Sequence, residues 1–218
     1  MITEEIKIPT DGRPIEAFTL SPSKKPNRAF LIFPGKYYTI NYFLLDFIWK
    51  MAAEAGFFAV KTEYRGYTYR HLDEPFELNN ASEDIRHTIN YLTGIGYQPE
   101  DITVCAKSLG TMALANFLTN SDLFFKKVVL LTPILYFKKD SPVIPFWEEY
   151  KKKVSSSYLV FGGADPYCDM ETASSQFPTA PIDCYPGANH VMDLDGEYRR
   201  TIAIQTEIIE KVKEFIIG

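Results

Sequence analysis

The chain has 218 residues, of which 46% are apolar and 23% are charged, and its formal net charge is −5. These values are typical of a globular protein, and the length suits one domain with a sizeable core. The negative charge argues against nucleic acid or an anionic membrane as the partner, since no large positive field is available.

Targeting signals and metal-binding patterns are not found in the sequence. The first residues, MITEEIKIPTDG, have neither a basic start nor an apolar block, so no secretory signal is predicted. No window approaches the roughly 18 consecutive apolar residues that a membrane span needs. Cys105, Cys168 and Cys184 are an odd number of cysteines without metal-like spacing. We therefore expect a cytoplasmic protein with free thiols and without a metal, a cofactor or a membrane partner.

The N-terminal half alternates between strand-like and helix-like patterns. EEIKIP and PIEAFTL, separated by the turn residues TDGR, predict a β-hairpin. The buried strand RAFLIF then leads to a helix over about 41–55. FFAVKTEY predicts the next strand, and RGYTYRHLDEP predicts a loop. Ser82 is predicted as the N-cap of a second helix, which closes at Gly94 and Gly96.

The C-terminal half continues this alternation. ITVCAK predicts a strand, 110–118 a helix and KVVLLT another strand. Residues 133–156 are irregular and aromatic, with one short helix around 146–152. SYLVFGG and IDCYPG predict two further strands, and about 197–217 a terminal helix. Together the pattern predicts one α/β domain over 1–218, with a mostly parallel central sheet and helices on both faces.

Three polar residues stand just after predicted strands, at the edge where the loops of a parallel sheet form ligand sites. Ser108 follows ITVCAK, Asp165 follows SYLVFGGA, and His190 follows IDCYPGAN. A serine hydroxyl becomes nucleophilic when a histidine takes its proton, and a carboxylate can orient that histidine. The sequence therefore predicts that these three side chains act together as a catalytic group.

The order Ser, Asp, His along the chain is similar to that of the α/β-hydrolase superfamily, whose nucleophile elbow is G-x-S-x-G. Here the elbow is AKSLG (106–110), with alanine at the first small position. EYRGY (63–67), GYQPEDITVCAKSLG (96–110), GGADP (162–166) and GANH (187–190) also resemble segments of this superfamily. The resemblance covers nearly the whole chain. It implies an α/β-hydrolase fold with a minimal cap and a serine hydrolase of the carboxylesterase type.

The resemblance also implies an oxyanion hole made of two backbone N–H groups. One belongs to Leu109, directly after the serine. The other belongs to the loop after LIF, at Lys36 or Tyr37, where Pro34 replaces the histidine that the superfamily often has.

Other acids and histidines compete for the predicted roles. Asp169, Asp193 and Asp195 are alternatives to Asp165. His71 in a charged loop and His87 inside a predicted helix are both expected at the surface instead of in the site.

Further polar residues near these segments have other predicted roles. Lys107 could suggest a Ser–Lys dyad, but adjacent side chains on a strand point to opposite faces, so it is expected to face away from the hydroxyl. Glu63 could be catalytic, but pairing with a base such as Arg65 or Lys107 is the favoured prediction. Cys168 lacks an elbow, which argues against a thiol nucleophile.

Residues 133–156 lie where the superfamily inserts its caps, but they are fewer than the roughly 50 residues of an independent domain. Their apolar side chains predict a low flap over Ser108 and a shallow site for small or medium acyl groups. Alternatively, these aromatics pack on the sheet edge or bury a homodimer contact. The predicted pocket consists of Tyr38, Tyr136, Phe137, Phe146 and Trp147.

The function predicted from these residues is hydrolysis of an ester-type acyl bond in a small-molecule substrate. A thioesterase, an amidase or a small peptidase would use the same residues. The fold also serves as a catalytically silent binding scaffold, which a missing covalent adduct on Ser108 would reveal.

Overall fold

The computed structural model describes residues 1–22, 25–65 and 77–218. Over these residues the chain forms eight strands and six α-helices. The strands are β1 (Ile2–Ile8), β2 (Ile15–Ser21), β3 (Ala29–Phe33), β4 (Phe58–Thr62), β5 (Ile102–Lys107), β6 (Phe125–Leu131), β7 (Val154–Gly162) and β8 (Ile182–Tyr185). The helices are α1 (Phe43–Glu54), α2 (Leu78–Gly94), α3 (Leu109–Thr119), α4 (Phe146–Lys153), α5 (Met170–Gln176) and α6 (Tyr198–Ile217).

The eight strands form one sheet in the order β1-β2-β4-β3-β5-β6-β7-β8. β1 and β2 are the predicted N-terminal hairpin, and β2 pairs antiparallel with β4. All pairings from β4 to β8 are parallel. The predicted mostly parallel sheet is therefore confirmed.

Helices cover both faces of this sheet, and the alternation of side chains along a strand decides which face each residue contacts. In β3, Phe30 and Ile32 belong to the core beneath α1 and α6. Leu31 and Phe33 belong to the core beneath α2, α3 and α4. A strand buried on both faces is apolar at every position, which explains the sequence AFLIF.

Two features of the helices differ from the prediction. α2 begins at Leu78, so the prediction of Ser82 as its N-cap is wrong. The Ser82 hydroxyl donates to the carbonyl groups of Leu78 and Ala113, which joins α2 to α3. α5 was not predicted, because its seven residues are too few to show a helical repeat; it is capped by Asp169.

The predicted loop RGYTYRHLDEP falls mostly on residues 66–76, which lie outside the described residues together with His71. Among the helices that are described, none combines the length and the apolar character of a membrane span.

Candidate active site

Ser108, Asp165 and His190 lie together at the carboxyl edge of the sheet, just after β5, β7 and β8. Ser108 Oγ is 2.7 Å from Nε2 of His190. Nδ1 of the same imidazole is 2.8 Å from Oδ2 and 2.9 Å from Oδ1 of Asp165. The three side chains thus form one hydrogen-bonded row, which can pass a proton from the hydroxyl to the imidazole.

The serine stands on a sharp turn between β5 and α3. Its backbone has φ 52° and ψ −119°, a region that is costly for a residue with a side chain. The turn also needs room, because a Cβ atom on Gly110 would lie 2.6 Å from the carbonyl oxygen of Pro34. The N–H of Ser108 donates to the carbonyl of Leu131, which joins the turn to the end of β6. The close approach of Pro34 explains why AKSLG has glycine at position 110.

Asp165 is held in place by its own turn. Its side chain is fully buried and accepts the backbone N–H of Tyr167 at 2.9 Å. The ring of Tyr167 packs edge-on against the imidazole of His190, with 4.9 Å between the ring centroids. Tyr167 was not predicted from the sequence, where its signal is its position two residues after the acid.

The competing acids have other partners. Asp169 accepts the N–H of Thr172 and the hydroxyl of Tyr136, both at 2.7 Å. Although burial by itself would raise the pKa of Asp169, these hydrogen bonds hold it below its usual value. Asp193 and Asp195 are exposed.

The competing histidine His87 and the thiol of Cys168 lie in surroundings that do not suit a base or a nucleophile. His87 lies inside α2, where it is half-buried. Cys168 is buried near Asp165, and this burial together with the nearby carboxylates raises the pKa of its thiol. A protonated thiol is a poor nucleophile. Over the described ranges, no group of three or more His, Cys, Asp or Glu side chains could hold a metal ion.

The loop after β3 lies directly against the serine. A Cβ atom on Gly35 would be 3.0 Å from Cβ and 3.5 Å from Oγ of Ser108. Leu109 is the first residue of α3, so its N–H has no partner within the helix. Lys36 and Tyr37 follow Gly35 on the surface, and Tyr37 has a φ of 56°. The loop therefore brings its backbone into contact with Ser108 at Gly35.

Two charged residues hold the far end of this loop. Glu63 accepts the N–H of Ile40 at 3.3 Å, and Lys61 donates to the carbonyl of Ile40 at 3.2 Å. Arg65, one of the partners predicted for Glu63, forms its ion pair with Asp84 at 2.6 Å. Because both backbone polar groups of Ile40 are bonded to buried side chains, the loop is restrained before any substrate binds.

The structure contradicts the predicted pocket position of Trp147. This side chain is fully buried and packs edge-on against Tyr150 and Phe177. Its indole N–H donates to the carbonyl of Ile134 at 3.0 Å. Trp147 fills the core instead, because α4 lies over the core and buries its apolar face.

The other predicted pocket residues have different surroundings. Tyr38 is buried and stacks on Tyr42, with 4.6 Å between the ring centroids. Tyr136 lines a surface cavity of about 490 Å³ that also includes Asp169, and neither Ser108 nor His190 lines it. Phe137 is 67% exposed and Phe146 is partly buried against the core.

Comparisons with known proteins agree with this architecture. No protein family model matches the sequence, and no curated protein matches it either. Est1E from Butyrivibrio proteoclasticus, solved with ferulic acid, is 16% identical with a TM-score of 0.75, covering 98% of this chain and 100% of Est1E. The esterase Pf2001 from Pyrococcus furiosus is 13% identical with a TM-score of 0.74, covering 100% of this chain and 93% of Pf2001.

A third structure similar to this chain is XC6422 from Xanthomonas campestris, described as an α/β serine hydrolase without a lid. It is 12% identical, with a TM-score of 0.70, and the match covers 97% of this chain and 94% of XC6422. The chain therefore has the α/β-hydrolase fold, as the resemblance in its sequence implied.

Proposed function

We propose that this protein is a serine hydrolase that cleaves ester-type acyl bonds through an acyl-enzyme on Ser108. The observation that carries this proposal is the 2.7 Å contact between Ser108 Oγ and His190 Nε2. On the other side of the imidazole, Nδ1 of His190 contacts the buried carboxylate of Asp165. This arrangement activates a hydroxyl that would otherwise be a poor nucleophile.

In the first half of the reaction, Ser108 Oγ attacks the carbonyl carbon while His190 Nε2 takes the hydroxyl proton. Asp165 keeps Nδ1 of His190 protonated and stabilises the imidazolium. Collapse of the tetrahedral intermediate breaks the bond to the alcohol, which leaves with the proton from His190. Water then attacks the acyl-enzyme with His190 again as the base, and the carboxylic acid is released.

The oxyanion that forms in both halves needs donors that are already in place. The N–H of Leu109 is one donor in this proposal, and the N–H of Lys36 or Tyr37 is the other. The absence of a side chain at Gly35 leaves the space beside Ser108 Oγ open for the carbonyl oxygen.

Proteins of similar structure support this chemistry, since they include an esterase and a serine hydrolase without a lid. A fold alone does not determine function, whereas the geometry of Ser108, His190 and Asp165 is specific to this chemistry. We propose a small-molecule acyl substrate, in line with the ferulic acid with which Est1E was solved.

The test is covalent labelling with a fluorophosphonate, followed by peptide mass spectrometry of the wild-type protein and of Ser108→Ala. We expect one adduct, on Ser108, and none in the variant. A panel of p-nitrophenyl esters, acyl thioesters and aminoacyl amides then separates the ester specificity from the other acyl transfers. A folded wild-type protein without an adduct on Ser108 would refute the proposal and favour a silent binding scaffold.

A further inference from the structure

Lys107, the residue before the nucleophile, is a fully buried cation. As the last residue of β5, it lies on the same face of the strand as Cys105, which belongs to the core beneath α1 and α6. A buried ammonium group is costly unless its N–H groups find acceptors. The hydrogen-bond acceptors of Lys107 Nζ therefore indicate the role of this side chain.

Two oxygens accept hydrogen bonds from Lys107 Nζ. One is the hydroxyl of Thr132, at 2.8 Å, and the other is the backbone carbonyl of His190, at 3.0 Å. The ammonium also lies 4.4 Å from the centre of the Tyr38 ring, a cation–π distance. Among the residues that the structure describes, the hydrogen-bond acceptors of Lys107 include no carboxylate.

These contacts join four separate strand ends around the serine. Lys107 ends β5, Thr132 follows β6, and His190 belongs to the loop after β8. Tyr38 belongs to the loop after β3, which also carries the proposed oxyanion donors. One side chain thus connects the nucleophile turn, the base and the oxyanion loop.

The loop that carries His190 depends on individual hydrogen bonds, because residues 186–197 form no helix or strand. The side chain of Asn189 accepts the N–H groups of Val191 and Asp193, each at 3.0 Å. Asp165 holds the imidazole at Nδ1. Lys107 donates to the backbone carbonyl of His190 itself. This hydrogen bond therefore fixes the backbone of the residue that carries the imidazole.

Thr132, the second acceptor of Lys107, has an unusual backbone conformation. Its φ is 44°, which is unusual for a β-branched residue and is stable only where the surroundings enforce it. Its N–H donates to the carbonyl of Val160 at 2.6 Å, and its hydroxyl accepts from Lys107. Strained backbone of this kind collects at functional sites, where it places a group that regular structure could not reach.

We propose that Lys107 is a positioning residue: its ammonium group fixes the backbone of His190 and the end of β6, and so keeps Nε2 of His190 within reach of Ser108 Oγ. The proposal depends on the hydrolase function above and adds a role that the reaction steps do not use. It differs from a Ser–Lys dyad, because the bonds of Lys107 reach the backbone of the base and not the serine hydroxyl.

The electrostatic surroundings agree with this position. Burial lowers the pKa of Lys107 to about 7, while Asp165, Cys105 and Asp193 act in the opposite direction. The neutral amine keeps two N–H groups, so it can still donate to both oxygens at a mildly alkaline pH. The positioning role therefore does not require a charge on Lys107.

The test compares Lys107→Met with a matched control, Lys127→Met. Methionine has a similar length and no N–H group. Lys127 also donates to a backbone carbonyl, that of Phe215 at 2.9 Å, and its ammonium lies 5.5 Å from the ring of Phe215. Lys127 lies near the beginning of β6, at the sheet edge opposite the serine. The control therefore loses a similar bond at a distant place.

Two readouts separate positioning from simple loss of folded protein: the rate constant of fluorophosphonate labelling and its final amplitude. We expect kcat and the labelling rate constant of Lys107→Met to fall about 50-fold, with full amplitude and a nearly unchanged KM, because a misplaced base slows the chemical step. Lys127→Met should keep wild-type values.

A reduced amplitude with a wild-type rate constant would overturn the proposal, since it shows only a loss of folded molecules. An unchanged kcat in Lys107→Met would overturn it as well. A wild-type protein that is not labelled at all would refute the hydrolase function itself, and this role with it.

If Lys107→Met does not fold, Thr132→Val decides, because valine keeps the side-chain shape and removes one acceptor of the ammonium. We expect its labelling rate constant to fall about fivefold at full amplitude, since the His190 bond remains. A wild-type rate constant in Thr132→Val would then overturn the proposal.

Discussion

Gly162, the last residue of β7, lies against the backbone of Ala188, two residues before His190. A Cβ atom on Gly162 would overlap the carbonyl oxygen of Ala188 and would lie 2.7 Å from the carbonyl oxygen of Asn189. The strand that leads to the acid therefore touches the loop that carries the base. The absence of a side chain at Gly162 sets the distance between them.

We expect Gly162→Ala to lower kcat at least about tenfold and stability by about 2 kcal/mol, because the added methyl group displaces the His190 loop. Activity and thermal unfolding should be measured together. Gly94→Ala, at the end of α2, is the control, since a Cβ there meets nothing within 4 Å. A Gly162→Ala enzyme with wild-type activity would show that the loop can move without consequence.

Ser108→Ala should lose about five orders of magnitude or more in kcat, because the nucleophile is removed. It should remain folded, since no core volume is lost. The φ of 52° predicts a second effect: Ser108→Gly should be more stable than Ser108→Ala by about 1 kcal/mol. Urea unfolding of both variants measures this difference. Equal stabilities would mean that the turn carries no backbone strain.

Asp165→Asn should lower kcat by about 10³-fold or more, because an amide next to Nδ1 favours the wrong tautomer of His190. Asp169→Asn should have little effect on kcat, since asparagine also caps a helix and Asp169 bonds to Thr172 and Tyr136. Steady-state kinetics on one p-nitrophenyl ester suffices. If Asp169→Asn or Asp193→Asn caused the larger loss, the acid would be misassigned.

Burial of Lys107 gives the stability a defined pH dependence. Its pKa is lowered from 10.5 to about 7, so between these values the unfolded chain binds more protons than the folded protein. Stability therefore rises with pH in this window, and Lys107→Met lacks this contribution. The free energy of unfolding of the wild type, minus that of Lys107→Met, should increase by about 1.5 kcal/mol from pH 7 to pH 8.5. Urea unfolding at both pH values tests this; a constant difference would contradict it.

The acyl preference should be for short chains. Ile134 and Leu135 pack into the core, and the cavities beside Tyr136 and Tyr150 are not lined by Ser108. For p-nitrophenyl esters, kcat/KM should rise from acetyl to about butyryl or hexanoyl, by up to about 0.8 kcal/mol per buried methylene, and then fall. A continuous rise to palmitoyl esters would contradict this preference for short chains.

Local patterns in the sequence were sufficient to predict the alternation of strands and helices and the position of the nucleophile turn. AFLIF is apolar at every position because both faces of β3 are covered, and AKSLG ends in Gly110 because the turn is tight. The order of Ser108, Asp165 and His190 at three strand ends was also visible, since parallel strands place their carboxyl ends on one edge.

Contacts between distant segments were decided only by the tertiary structure. Trp147 carries the same aromatic signal whether it lines a pocket or fills the core, and only the position of α4 decides between them. Ser82 resembles an N-cap until α3 supplies a second acceptor for its hydroxyl. The bond from Lys107 to the carbonyl of His190 joins residues 83 positions apart. No local pattern predicts such a bond, because its length depends on the register of the parallel strands and on the loops that leave them.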